Sequence, residues 1–300
     1  MAKGIFPEDH DNFAGTLDVA CGTYLWNFVK TADLILAVGF DAVELIKPWS
    51  PLSETIHIDS TPNTDQIYPA AIEVVGPIPA ILDVLVDEFS GNARWTAKEI
   101  SDHRDGLRTC YYEGRVAGKL NPSDVVDIAR EAATPDTIIS ADVGSHKLCV
   151  GQGWTTHEPR SVLISNGLSS MGYALPAAIA ARVARPDRPV IGFMGDGGFA
   201  MVQGELRLAA SLKLGITVIV FCDNSLNLIE RKQIVQQYPS IGTVIEATDI
   251  AKLSESMGCE GVNVTTAKEL EAALSDRPVS REGPLVIGAT IDPTQYLTTN

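Results

Sequence analysis

Between residues 30 and 90, apolar runs alternate with short polar turns in the order DLILAVGF, ETIHIDS, AIEVVG, and then PIPAILDVLVDEF. The first three are strand patterns bounded by turn residues. The fourth spaces its apolar positions by three and four after a proline, which predicts an amphipathic helix. Across 90–120 the pattern gives way to polar and charged positions, and the stretch reads as a linker carrying a surface helix. From 121 onward the alternation becomes regular. NPSDVVDIAREA starts a helix on Asn-Pro, followed by DTIISADVG as strand, MGYALPAAIAARVA as helix, PVIGFMGDGG as strand, MVQGELRLAASLKLG as helix and ITVIVFCDN as strand. TTAKELEAAL supplies a capping box from Thr266 to Glu269, and PLVIGATID closes the series as a strand. Strands that alternate with helices predict an α/β, doubly wound parallel sheet, here preceded by a partial Rossmann-like α/β domain. The divisions expected are 1–90, a linker at 91–120, and 121–300.

Composition narrows what such a fold can meet. The chain has 300 residues, 45% of them hydrophobic, and a formal net charge of −15, which repels phosphate backbones and anionic membrane surfaces. Nucleic acid and membrane are therefore excluded as expected partners, and a small organic ligand is favoured. Five scattered cysteines without a CxxC spacing read as reduced thiols of a cytoplasmic protein. The first residues, MAKGIFPEDH, carry no apolar signal region.

In a doubly wound sheet, ligands bind at the carboxyl ends of strands, where ADVGSHK, MGDGGF and FCDNSLN would gather. Asp196 and Asp223 each follow an apolar strand, so both carboxylates project from one sheet edge and can share a cation. Gly195, Gly197 and Gly198 allow close backbone approach at the start of the next helix, which suits a diphosphate. Two carboxylates plus diphosphate oxygens form a donor set for Mg²⁺. The structural alternative is a turn Asp and a helix-capping Asp.

Spacing and company add to this reading. GDG followed just under thirty residues later by an Asp-containing segment resembles the signature of thiamine diphosphate-dependent enzymes. DVGSHK, ISNGLSSMGYALPAAIAA, GDGGFAMVQGEL and GPLVIGATID fall in the order of the acetolactate synthase-like branch. The resemblance covers essentially the whole chain. It implies that residues 1–90 are the C-terminal half of a central domain and that 121–300 form the diphosphate-binding, catalytic domain of the thiamine diphosphate-binding fold.

Carried over by position, the resemblance makes Asp196 and Asp223 metal ligands, with Ser225 completing the shell through its carbonyl. CDNSLNL departs from the commoner Asn-Asn and Gly-Met pattern at Cys222, Asp223, Asn227 and Leu228. Gly144, Ser145 and His146 correspond to residues that touch the diphosphate, although a lone loop His can equally be merely solvated. Ser169 stands where a Gly acts through its carbonyl. Met171 falls where a bulky side chain bends the cofactor so that its amino group reaches the reacting carbon; a core Met at a helix start is the alternative. Leu228 and Ile229 match positions lining the pocket for a 2-oxo acid, or bury one face of a helix.

The reaction implied is Mg²⁺-dependent decarboxylation of pyruvate with carboligation to a second 2-oxo acid. A simple 2-oxo acid decarboxylase, another carboligase of the superfamily, or a non-catalytic cofactor-binding fragment are the alternatives. The family also places a pyrimidine-binding domain ahead of the central domain, and this chain has no room for it. That domain, as a separate subunit or part of a longer gene product, is an expected partner, together with a homo-oligomeric full-length form. Flavin binding is left open.

Overall fold

The computed structural model describes residues 3–40, 53–64, 68–89, 95–275 and 282–298. Helix α1 (Gly22–Val29) precedes three short strands, β1 (Leu34–Val38), β2 (Glu54–Asp59) and β3 (Ile72–Val75), which pair in parallel in that order. Helix α2 (Ile78–Glu88) follows, with Pro77 at its N-cap. These are the elements that the apolar pattern predicts for 30–90. Their burial differs from the pattern, because β3 is exposed throughout and α2 buries no residue.

Helix α3 (Ala97–Tyr111) is the surface helix expected in the linker, and residues 91–94 of that linker lie outside the described residues. Its Thr96 cap and Glu99 form a reciprocal capping box. One face is buried, at Ile100, His103, Leu107 and Tyr111. His103 stacks between Tyr24 and Phe28 of α1, with ring centroids 5.1 and 3.8 Å away. The polar composition therefore concealed a helix whose apolar stripe belongs to the core.

The second sheet is built from α4 (Pro122–Ala132), β4 (Ile138–Ala141), α5 (Ser145–Gly153), β5 (Val162–Ile164), α6 (Ala174–Ala184), β6 (Val190–Gly195), α7 (Asp196–Val202), α8 (Leu206–Ser211), β7 (Ile216–Cys222), α9 (Asn227–Val235), α10 (Ile250–Ser256), β8 (Glu260–Val264), α11 (Ala267–Leu274) and β9 (Leu285–Thr290). Its six strands run parallel in the order β5-β4-β6-β7-β9-β8. Helices cover both faces. One core cluster joins α4, α5, α11 and Trp154 to the sheet; the other joins α6, α8 and Met194 to the opposite face. This is the doubly wound α/β arrangement, and the buried runs of β6, β7 and β9 are what a sheet covered on both sides requires.

The long helix expected over MVQGELRLAASLKLG is divided. A 3₁₀ turn at Gln203–Glu205 separates α7 from α8. Pieces of regular structure that the pattern did not show are α1, α5, β5, β8 and α10.

Residues 3–25 pack on the second sheet's helices. Glu8 forms a buried ion pair with Lys3, and it accepts the Thr156 amide at 3.0 Å while its own amide donates to the Thr156 carbonyl at 2.8 Å. Lys3 also reaches the Trp154 carbonyl. Ala20, Cys21 and Leu25 join the same core cluster as α4 and α5. Sequence order and spatial grouping thus separate at the start of the chain.

Candidate functional site

The chain steps from β4 outward to β5 and then returns past β4 to β6, so the strand order reverses between β4 and β6. Loops at the carboxyl ends diverge there and leave a crevice. The residues after β4, β6 and β7 line a cleft of about 260 Å³ at this point.

Asp196 is the first residue of α7, and Gly195 caps that helix in an extended conformation with φ −83°. The expected acidic turn is therefore the first turn of a helix. Its glycines are required for space. A Cβ on Gly198 would lie 2.3 Å from Asp142 Oδ2, and one on Gly197 would lie 2.7 Å from Leu226 and 3.4 Å from Met171 Cε. One on Gly195 would meet the His146 ring at 3.3 Å. Asp196 accepts the Gly197 amide through Oδ1 at 2.8 Å and the Asn224 amide through Oδ2 at 2.7 Å. The second bond ties the end of β6 to the end of β7. Asn224 sits in left-handed backbone with φ 57°, a conformation that Asn tolerates.

Asp223 lies at the end of β7 and accepts the Ser225 amide at 3.2 Å. Burial, and then the facing charge of Asp196, push its carboxyl up to about 7. Burial also raises Asp196, against the amides that hold its ionised form. Among the described residues that line this cleft no Lys or Arg offsets the two partly buried carboxylates, which is the electrostatic condition of a metal site. The Ser225 hydroxyl donates to Glu230 at 2.7 Å. Cys222 is held protonated by burial, with its thiol pushed up to about 12, as suits a strand residue without nucleophilic function.

Gly144 has φ 148° and precedes α5, whose first turn holds Ser145 and His146. His146 is thus a buried helical residue and not a solvated loop residue. Its ring stacks on Phe221 with centroids 5.3 Å apart, and burial, then the charge of Lys147, pull it down to about 3. A neutral imidazole carries one N–H for donation. Nε2 is buried without a hydrogen-bond partner, in a residue that lines the cleft. The ring edge that faces Gly144 and Gly195 is the Nδ1–Cε1 edge. The Ser145 hydroxyl donates to Asn227 Oδ1 at 2.7 Å, which joins α5 to α9.

Ser169, Met171, Leu228 and Ile229 line the same cleft, so the structure brings every singled-out residue together there. Ser169 adopts left-handed backbone, φ 49°. Ile229 is about half exposed. Sequence reasoning did not place Val143, Phe221, Leu226, Asn227 and Tyr296 in the site, and these complete the lining. Phe221 and Leu226 flank the CDNS segment and were within its reach. Tyr296 comes from a 3₁₀ turn at Pro293–Leu297 after the last strand, where nothing in the local pattern signals a site.

The paired carboxylates, in a cleft they share with His146 and the glycines at the start of α7, fit a divalent cation bound together with a diphosphate. Among the described residues no group of three or more His, Cys, Asp or Glu side chains is placed to hold a metal. The two-carboxylate set leaves coordination positions to phosphate oxygens, as Mg²⁺ prefers. Fold and cleft together define a doubly wound α/β protein of the kind that binds a diphosphate cofactor at a topological switch point.

Comparison with known proteins gives the family. Residues 142–289 match the thiamine pyrophosphate enzyme C-terminal TPP binding domain, and residues 1–85 match the thiamine pyrophosphate enzyme central domain. The chain belongs to the thiamine pyrophosphate enzymes. Acetolactate synthase of Bacillus subtilis is 28% identical over 279 residues, 88% of this chain and 48% of that protein. The protein described as "Probable acetolactate synthase large subunit" in Methanocaldococcus jannaschii is 30% identical over 319 residues, covering 99% and 53%. Acetolactate synthase large subunit of Corynebacterium glutamicum is 28% identical over 303 residues, covering 96% and 48%. The chain spans about half the length of the curated relatives it matches. No helix among the described residues is long and apolar enough to cross a membrane.

Proposed function

We propose that this chain supplies the diphosphate- and Mg²⁺-binding half of an enzyme that decarboxylates pyruvate and joins the product to a second 2-oxo acid, the activity named in its acetolactate synthase relatives. The observation that carries the reading is the carboxylate pair, Asp196 and Asp223, lining one cleft with His146 at the β4/β6 switch point. Asp196, Asp223 and the Ser225 carbonyl hold the cation. Bound Mg²⁺ would offset both the burial and the facing Asp196 charge that raise the Asp223 carboxyl. His146, with Gly144, Gly195, Gly197 and Gly198, lines the part of the cleft that would hold the diphosphate. Ser169 and Met171 position the rest of the cofactor, which when bound supplies the electron sink for loss of carbon dioxide. Leu228 and Ile229 form an apolar wall that excludes water around the departing carboxylate.

Asp196 and Asp223 are the acidic residues among the described lining of the cleft, and both are committed to the cation. Activation of the aminopyrimidine ring then requires a carboxylate from a pyrimidine-binding domain or subunit. The test is to supply the chain with thiamine diphosphate, Mg²⁺ and pyruvate, with and without the pyrimidine-binding domain of a homologous acetolactate synthase. Cofactor binding without release of carbon dioxide is expected from the chain alone, and acetolactate from the mixture. Turnover by the lone chain, lost in Asp196→Ala, would overturn the need for a partner. Failure to bind thiamine diphosphate under either condition would overturn the function itself.

A further inference from the structure

Ser169 and Met171 lie on a connection between β5 and α6 that belongs to no helix or strand. Its middle is open to solvent: Gly167, Leu168, Ser169 and Ser170 are exposed, Leu168 at 95%. The backbone turns through left-handed conformations at Gly167, Ser169 and Gly172, with φ of 67°, 49° and 82°. A segment with so little packing of its own keeps a defined course only if its ends are fixed.

Both ends are fixed from one corner of the fold. At the start, Lys147 Nζ donates to the Ser165 carbonyl at 2.6 Å and to Asn166 Oδ1 at 3.2 Å. At the far end, Asp142 accepts the Gly172 amide through Oδ2 at 2.9 Å and the Tyr173 amide through Oδ1 at 3.2 Å. Asp142 and Lys147 are both buried, they carry opposite charges that stabilise each other, and they stand on either side of Gly144, Ser145 and His146. The same Asp142 oxygen occupies the space beside Gly198, so this corner also abuts α7.

A buried lysine is costly to desolvate, and hydrogen bonds from a charged donor are among the stronger ones available to offset that cost. We propose that Lys147 is a positioning residue: it anchors the start of the segment that presents Ser169 and Met171 to the cleft, with Asp142 as the matching anchor at its end. Its consequence for the cofactor rests on the thiamine diphosphate reading above; the anchoring is a property of the protein without ligand.

Lys147→Met keeps the aliphatic length and removes both hydrogen bonds, and Asn166→Ala removes one of them from the solvent side. Amide hydrogen exchange of the cofactor-free 300-residue chain should quicken about 10-fold at Gly172 and Tyr173, the hydrogen-bonded amides that close the segment, in Lys147→Met and less in Asn166→Ala, with β6 and β7 unchanged. Affinity for thiamine diphosphate with Mg²⁺ should fall about 10-fold, while affinity for inorganic pyrophosphate with Mg²⁺ stays within about 2-fold. Unchanged exchange in both variants would overturn the proposal. Acceleration that extends equally to β6 and β7 would also overturn it, by making Lys147 a general support of the fold. So would equal loss of both ligands, since that would move its effect to the diphosphate end. If the unsubstituted chain binds no thiamine diphosphate, the functional reading fails, and the exchange comparison still decides the anchor.

Discussion

The two sheets of this chain are written in the same residues and end in opposite environments. Strands β6, β7 and β9 are apolar runs buried almost throughout. Strands β1 and β3 are equally apolar, yet Leu34, Leu36, Val38, Ile72, Val74 and Val75 are all exposed, Leu36 at 52%. Helix α2 repeats the contrast, with Val86 at 76%. Apolarity brings strands together, but helices on both faces are what make a sheet dry and rigid enough to aim side chains. The cleft lies at the edge of the covered sheet, where the ends of β6 and β7 are held by their ladder and by the Asp196 bond to Asn224.

Removing the cation site should have the largest effect. Asp196→Ala should weaken Mg²⁺-dependent binding of thiamine diphosphate by about 100-fold or more in calorimetric titration, since it removes one of the two charged ligands. Equal affinity would take Asp196 out of the site.

The same carboxylates should make the covered unit sensitive to pH. Asp223 sits near 7 in the folded chain, well above an ordinary carboxyl. A raised carboxyl favours folding in its protonated form, so stability without metal should fall as pH rises from about 4 to about 7. The loss should be about 2 kcal/mol after allowance for partial exposure, and Asp223→Asn should remove most of it. Urea unfolding followed across this range measures the slope; a flat profile would show that the pair is already neutralised.

Met171→Ala should act on the chemistry more than on binding. In an assembly that includes a pyrimidine-binding domain, proton exchange at the reacting carbon of the cofactor should slow about 10-fold, with affinity changed no more than about 3-fold. Unchanged exchange, read by proton NMR, would return Met171 to a packing role.

The smallest effect tests the uncovered sheet. Leu36→Lys should reduce self-association of the chain, seen by light scattering, and should change unfolding free energy by no more than about 0.5 kcal/mol. A large destabilisation would mean that Leu36 is packed in solution.

Local pattern by itself determined most of the succession of strands and helices from 121 onward, though not α5, β5, β8 or α10, together with the capping box at Thr266 and the placing of GDG and CDN after apolar strands. These properties depend on neighbours a few positions apart, which periodicity records. It also determined that DVGSHK, MGDGGF and FCDNSLN would emerge at one sheet edge, because parallel strands carry their carboxyl ends on the same side. Tertiary structure decided the rest. It placed residues 3–25 on α5, gave α3 a buried face, and made His146 a neutral helical residue. Tyr296 entered the cleft from beyond the last strand, and Lys147 met Ser165 across the fold. The glycines of α7 show the division most clearly: the motif marked them as special, but the reason is the space taken by Asp142, His146, Met171 and Leu226. Those atoms come from segments far apart along the chain, and only packing states how close they come.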